Sequence, residues 1–276
     1  MGVRLNVVRC LRAVVVGLLL LAPRFVTAND LCGATILADL KLDGDLSCAG
    51  DGLIVGADGI KIDLNGHTIA GSGVGVGVTL RSRRDVVVHG GTIADFVTGI
   101  FISNSTRISV KENRFTRNRE AVFLIASSGN VVKANVAWQN QLRGIMIRPN
   151  ASGVISTQNL VSENTLTGNP SGILLFAQPG NILKENMIAG STVAGIDLTG
   201  GGASGNLIKE NILTANAAGI KFGPGWTGNW VIENALQNNA CGIQGTVDGN
   251  RQHVHGECVD RERIRFLLLA SRGRAV

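Results

Sequence analysis

The feature that most constrains this chain is a repeat of about 23 residues. A small residue followed by an apolar one recurs at Gly99-Ile100, Ala121-Val122, Gly144-Ile145, Gly172-Ile173, Gly195-Ile196, Gly219-Ile220 and Gly242-Ile243. The steps are 22, 23, 28, 23, 24 and 23 residues, and the long step places an enlarged loop around Pro149 to Gln158. A second column holds Asn113, Asn135, Asn164, Asn186, Asn211 and Asn234, with His67 and Gly91 in earlier positions. Apolar residues sit three before it, such as Val110, Val132 and Val161, and two after it, such as Phe115, Leu166 and Ile188. A second polar column follows at Asn118, Asn140, Asn169, Asn216 and Asn239, with Ser72 and Ser191 as variants. A fixed period of this length is the signature of a solenoid, in which no repeat can bury its apolar face alone.

Each repeat contains short alternating segments, such as Ile145-Met146-Ile147, broken by Gly, Asn and Ser. Period-two alternation predicts strands with one face inward, too short for helices. A coil of this length holds three strands and three turns. Stacked in register, like residues lie about 4.8 Å apart. The Asn columns then predict ladders in which each buried amide donates to the amide oxygen one coil on. The expected fold is an all-β, single-stranded, right-handed parallel β-helix of about eight or nine coils over residues 51–250. Residues 29–50 are expected to form an N-terminal cap and 251–276 a C-terminal cap or tail.

Residues 1–28 read as a secretory signal peptide: Arg4, Arg9 and Arg12 precede the apolar run Ala13 to Ala22, and Val26-Thr27-Ala28 supplies small residues for cleavage. The segment is too short to span a membrane, and the mature chain is expected to be secreted or periplasmic without a transmembrane segment. The net charge of +6 belongs to the ends, since residues 29–259 are close to neutral; the body carries no basic field for nucleic acid. Cys32, Cys48, Cys241 and Cys258 remain after export, an even count that predicts two disulfides, most simply Cys32–Cys48 and Cys241–Cys258.

The strings "IDLNGHTIAG" (62–71), "GNVVKANVAWQN" (129–140), "GNILKENMIAGS" (180–191), "GNLIKENILTAN" (205–216) and "GNWVIENALQNN" (228–239) resemble the repeats of the pectin-lyase-like superfamily. The opening from Cys32 to Gly71 is similar to the start of many exported bacterial β-helix repeat proteins. The superfamily includes pectate lyases, polygalacturonases, alginate epimerases, phage tailspikes and a periplasmic accessory protein of nitrous oxide reductase assembly. The resemblance implies the fold, and a carbohydrate link by analogy alone.

Chemistry is sparse. No Asp-Asp pair precedes the Gly-Ile strands, so the paired carboxylates of an inverting hydrolase are missing. Glu120, Asp197 and Lys221 are the candidate catalytic residues, for a lyase, hydrolase or epimerase if the protein is an enzyme. The residues expected to face outward from the Gly-Ile sheet are Thr79, Phe101, Phe123, Met146, Leu174, Asp197, Lys221 and Gln244. Phe101, Phe123, Met146 and Leu174 of this row, with Ile125 and Phe176, form an apolar stripe that wants a cover, and the C-terminal segment 263–270 is one candidate. Arg81, Arg143 and Arg148 are candidate contacts to an acidic glycan, because guanidinium pairs with carboxylate or sulfate in a fork. Repeated Lys-Glu-Asn triplets read as a solvated edge, each Lys beside the Glu of its own coil. His253 and His255 fall short of a metal set, and no cofactor is expected. The reading is thus an exported protein that binds or modifies a carbohydrate, or else a non-catalytic structural or assembly module of the cell envelope.

Overall fold

The computed structural model describes residues 31–201, 204–225 and 227–247, and the strand backbones of 253–255, 258–260 and 265–268. The expected leader, 1–28, lies outside the described residues. The chain forms a parallel solenoid of about nine turns, with three sheets of 11, 10 and 10 strands. Sheet 1 holds the longest strands, most of six residues, including Val76–Arg81, Thr98–Ser103, Glu120–Ile125, Arg143–Arg148, Ser171–Phe176 and Ala194–Thr199. Sheets 2 and 3 are built mainly from three-residue strands, as in Ser109–Lys111 and Arg114–Thr116. Residues 35–47 already supply one short strand to each sheet.

Alternation decides which side chains enter the core. Ile100 and Ile102 from sheet 1, Val110 from sheet 2 and Phe115 from sheet 3 are fully buried, and equivalents stack above and below them. The Gly of each Gly-Ile pair leaves room for this packing: a Cβ on Gly172 would stand 2.4 Å from Ile188 Cγ2 and 2.5 Å from the Gly195 carbonyl oxygen.

The ladders hold the corners. Asn135 Oδ1 accepts from Asn113 N at 3.0 Å and Asn113 Nδ2 at 3.3 Å. Asn135 Nδ2 donates to the Val110 carbonyl at 2.9 Å and to Asn164 Oδ1 at 3.0 Å. The pattern repeats through Asn164, Asn186, Asn211 and Asn234. The second column behaves alike from Asn118 to Asn169 and again from Asn216 to Asn239, with Ser191 interrupting it. A third ladder, absent from the reading above, runs through Asn130, Asn159, Asn181, Asn206 and Asn229 between sheets 1 and 2. Its signal is the Gly-Asn dipeptide at 129–130, 180–181, 205–206 and 228–229.

The residue before a ladder Asn turns the corner in the left-handed region. Glu112, Glu163, Glu185, Glu210 and Glu233 do so at φ 56–57, and Ala134 at φ 54. For a residue with a Cβ this conformation costs roughly 1 kcal/mol, which the ladder offsets. The Lys-Glu edge is solvated but mixed in its pairing. Lys184–Glu185 and Lys209–Glu210 lie within one coil, whereas Lys133 reaches Glu163 of the next at 2.9 Å.

Cys32 and Cys48 form a disulfide. The expected Cys241–Cys258 bridge depends on the Cys258 side chain, which is outside the described residues. Arg265–Leu268 pairs in parallel with Gln244–Val247, so this part of 263–270 extends sheet 1 at its end rather than covering its outer face.

Two stability measurements check this account. Asn186→Asp removes the donors to Val161 O and Asn211 Oδ1 and sets a carboxylate against both oxygens, so it should cost about 3–5 kcal/mol in denaturant unfolding. Ala134→Gly relieves the left-handed corner and should stabilise by about 0.5–1 kcal/mol.

Candidate functional site

The outer face of sheet 1 collects the candidate residues in register. One row runs Thr79, Phe101, Phe123, Met146, Leu174, Asp197, Lys221 and Gln244, in the order expected from the sequence. A flanking row runs Thr98, Glu120, Arg143, Ser171 and Ala194. On the other side lie Arg81, Ser103, Ile125 and Arg148. The six-residue strands make this face wider than the outer faces of sheets 2 and 3, so it alone can present three rows side by side.

Phe101 and Phe123 stand edge to face, with centroids 5.4 Å apart. Arg81 places its guanidinium carbon 4.6 Å from the Phe101 centroid, and Arg148 lies 5.5 Å from that of Phe123. Arg81 is three coils before Arg148, yet both lean inward over the aromatic pair. Such cation–aromatic contacts hold a guanidinium in place without neutralising it. Neither arginine forms an ion pair among the described residues. Beyond Arg148 the enlarged loop turns back, and Arg148, Pro149, Asn150, Ala151 and Phe176 line a hollow of about 200 Å³. Met146 and Leu174 continue the floor and are nearly buried, while Phe176 at its edge is exposed.

Glu120 and Arg143 are not free groups. Arg143 Nη1 lies 2.6 Å from Glu120 Oε1, and the Glu120 side chain is only 12% exposed. Arg143 therefore neutralises a buried carboxylate rather than waiting for a ligand. Asp197 is more secluded, with its side chain 8% exposed and its Oδ2 3.9 Å from Lys221 Nζ. Its Oδ1 is buried and has no hydrogen-bond partner among the described residues. Burial pushes the Asp197 carboxyl above the usual carboxylate range, and Lys221 and Arg143 draw it partly back. Three coils separate the Glu120 and Asp197 strands, roughly 14 Å at strand spacing. That exceeds the roughly 6.5–9.5 Å that paired-carboxylate glycoside hydrolysis requires.

A larger concavity of about 680 Å³ lies elsewhere, lined by Gly71, Ser72, Gly73, Asp95, Arg117, Gln139 and Gln141. Arg117 there forms a fork with Asp95 at 2.8 and 2.6 Å, so its charges satisfy each other at the surface. Trp226 and the side chains of His253 and His255 lie outside the described residues.

Two measurements follow from the buried charges. Arg143→Ala strands the Glu120 carboxylate and should cost roughly 2–3 kcal/mol, whereas Glu120→Gln with Arg143→Met should recover most of it in a double-mutant cycle. Because the folded state disfavours ionised Asp197, its contribution is fully present at low pH and is lost as pH rises through its raised pKa. Thermal melts of Asp197→Asn should therefore match wild type in acid and gain on it towards neutral pH.

A family model described as "Periplasmic copper-binding protein (NosD)" matches residues 57–255. No curated protein matches the sequence. Among solved structures, the chain is similar to the A-module of the Azotobacter vinelandii mannuronan C-5 epimerase AlgE6, with a TM-score of 0.62 and 18% identity over 78% of this chain and 66% of that one. It is similar to the periplasmic alginate epimerase AlgG, with a TM-score of 0.54 and 16% identity over 76% of this chain and 60% of that one. It is also similar to the tailspike protein of E. coli bacteriophage HK620, solved in complex with a pentasaccharide, with a TM-score of 0.59 and 11% identity over 80% and 50%. At these identities the likeness shows a shared parallel β-helix.

Proposed function

The chain belongs to the NosD family of periplasmic proteins, and on that premise we propose that it is an exported β-helix protein that binds or modifies an acidic polysaccharide along the outer face of sheet 1. The observation that carries this reading is the pair Arg81 and Arg148, which converge on the Phe101–Phe123 floor without a carboxylate partner among the described residues. An apolar floor takes the flat face of a sugar ring, and the two guanidinium groups take its anionic substituents. The coils repeat side chains at regular spacing, which suits a repeating ligand. The epimerases and the tailspike share this fold and are named for, or solved with, saccharides, which supports the carbohydrate class.

Arg143 contributes indirectly, by holding Glu120. Any turnover at this face therefore rests on Asp197 and Lys221. The second reading, a non-catalytic structural or assembly module, is favoured by the same ion pair, which removes one of the few carboxylates from chemistry.

The family description names copper. Copper sites draw on imidazole, thiolate and thioether donors. Among the described residues no three His, Cys, Asp or Glu side chains gather to hold a metal, and His67 and His89 each face a single Asp. The described His, Cys, Asp and Glu side chains therefore do not fit a copper ion.

The test is calorimetric binding of polymannuronate to the mature protein across a salt series. Affinity should fall with added salt, since exposed charges are screened. Arg81→Ala with Arg148→Ala should weaken binding about 100-fold, equivalent to roughly 1.4 kcal/mol for each guanidinium, with little change in melting temperature. No binding at low salt, or equal binding by the double variant, would overturn the reading.

A further inference from the structure

We infer that the hollow beside Arg148 is a subsite for a single acidic sugar ring, at the edge of the binding face. The inference rests on the polysaccharide reading above and deepens it. Arg148 and Phe176 end consecutive strands of sheet 1, each one residue beyond the pair Ile147 and Leu175. Arg148 thus stands between two aromatic rings along the stack, Phe123 of the preceding coil and Phe176 of the following one. The hollow lies on the Phe176 side, for the exposed Phe176 lines it and Phe123 does not.

The enlarged loop forms its far wall and is tied in place. Ser156 Oγ donates to the Arg148 carbonyl at 3.2 Å and closes the loop at its neck. Within the loop, Asn150 Oδ1 accepts from Ser152 N at 3.0 Å and from Val154 N at 2.9 Å. Asn150 N donates to the Val154 carbonyl at 3.1 Å. An oxygen that takes two backbone N–H groups fixes which way the carboxamide points. Asn150 Nδ2 is left without a partner among the described residues.

The lining therefore has a definite chemical character. Arg148 and Asn150 Nδ2 supply donors, and Pro149, Ala151 and Phe176 supply apolar walls. No side chain lining the hollow offers a carboxylate or an uncommitted acceptor. Donors without acceptors suit an anion, and a flat aromatic wall suits the face of a pyranose ring. At about 200 Å³ the hollow is smaller than the roughly 300 Å³ at which pockets for drug-sized ligands begin. It takes one ring, and the rest of the chain passes to the Phe101–Phe123 floor, with Arg148 shared between the two.

The experiment is calorimetry of the mature protein with trimannuronate, with neutral mannotriose as control, beside NMR of the wild-type side-chain amides. Asn150→Asp keeps the acceptor that holds the loop and replaces the donor with an anion. It should weaken trimannuronate binding about tenfold, the loss of a hydrogen bond to a charged group. Ala151→Phe fills the hollow without adding charge and should weaken binding by a similar factor. In wild type, the Asn150 Nδ2 protons should shift as trimannuronate saturates the protein and stay in place with mannotriose. That reading needs no variant to fold. Wild-type affinity in either folded variant, or an Asn150 amide that trimannuronate leaves unmoved or mannotriose moves equally, would overturn the subsite while leaving the arginine pair intact. Binding of polymannuronate without binding of trimannuronate would also overturn the subsite alone. Failure of both ligands to bind wild type at low salt would overturn the subsite and the polysaccharide reading together.

Discussion

The structure depends on one demand: a polar side chain taken into a stack of coils must find its partners in the coils on either side. Asn meets it because one amide carries both donor and acceptor. Its oxygen takes two N–H groups from the preceding coil, and its nitrogen gives to a backbone carbonyl there and to the next amide oxygen. Three such ladders fix the three corners, and the corners fix the register of all three sheets. That register in turn brings Arg81 and Arg148 to the same aromatic pair. Without it, residues far apart in sequence would share no face.

The corners carry strain that the ladders hold in place. Nineteen non-glycine residues among those described adopt positive φ. Many of these stand directly before a ladder residue, Asn in most cases, so the energetic cost of turning the chain is met by the hydrogen bonds that follow it. Glu serves in this position on one edge because it also pairs with the Lys beside or above it.

Much of this was legible in the sequence, and the exceptions share a cause. The Gly-Ile and Asn columns gave the coil length and the outward row of sheet 1, because apolar alternation and turn residues are local signals. The third ladder was missed although Gly129-Asn130 and its equivalents stand in plain view; the uneven loops after sheet 1 hide the period there. The Glu120–Arg143 pair could have been found by stacking the residues that precede each Gly-Ile strand, since the two are adjacent in that row. The lean of Arg81 and Arg148 towards each other could not, because side-chain direction across three coils is set by packing on Phe101 and Phe123. Nor does sequence reveal that Asp197 Oδ1 lacks a partner among the described residues, which depends on what every neighbour leaves unsatisfied.

A stack of this kind behaves as a one-dimensional chain of nearest-neighbour couplings, and its cooperativity is only as strong as its weakest joint. Ser191 breaks the second ladder between Asn169 and Asn216: its backbone N–H still reaches Asn216 Oδ1, but its own hydroxyl has no partner among the described residues. The joint falls between the strands that carry the arginine pair and those that carry Asp197 and Lys221. Across this step two of the three ladders and all three sheets continue unbroken, so the coils before and after it are coupled by one corner fewer than their neighbours.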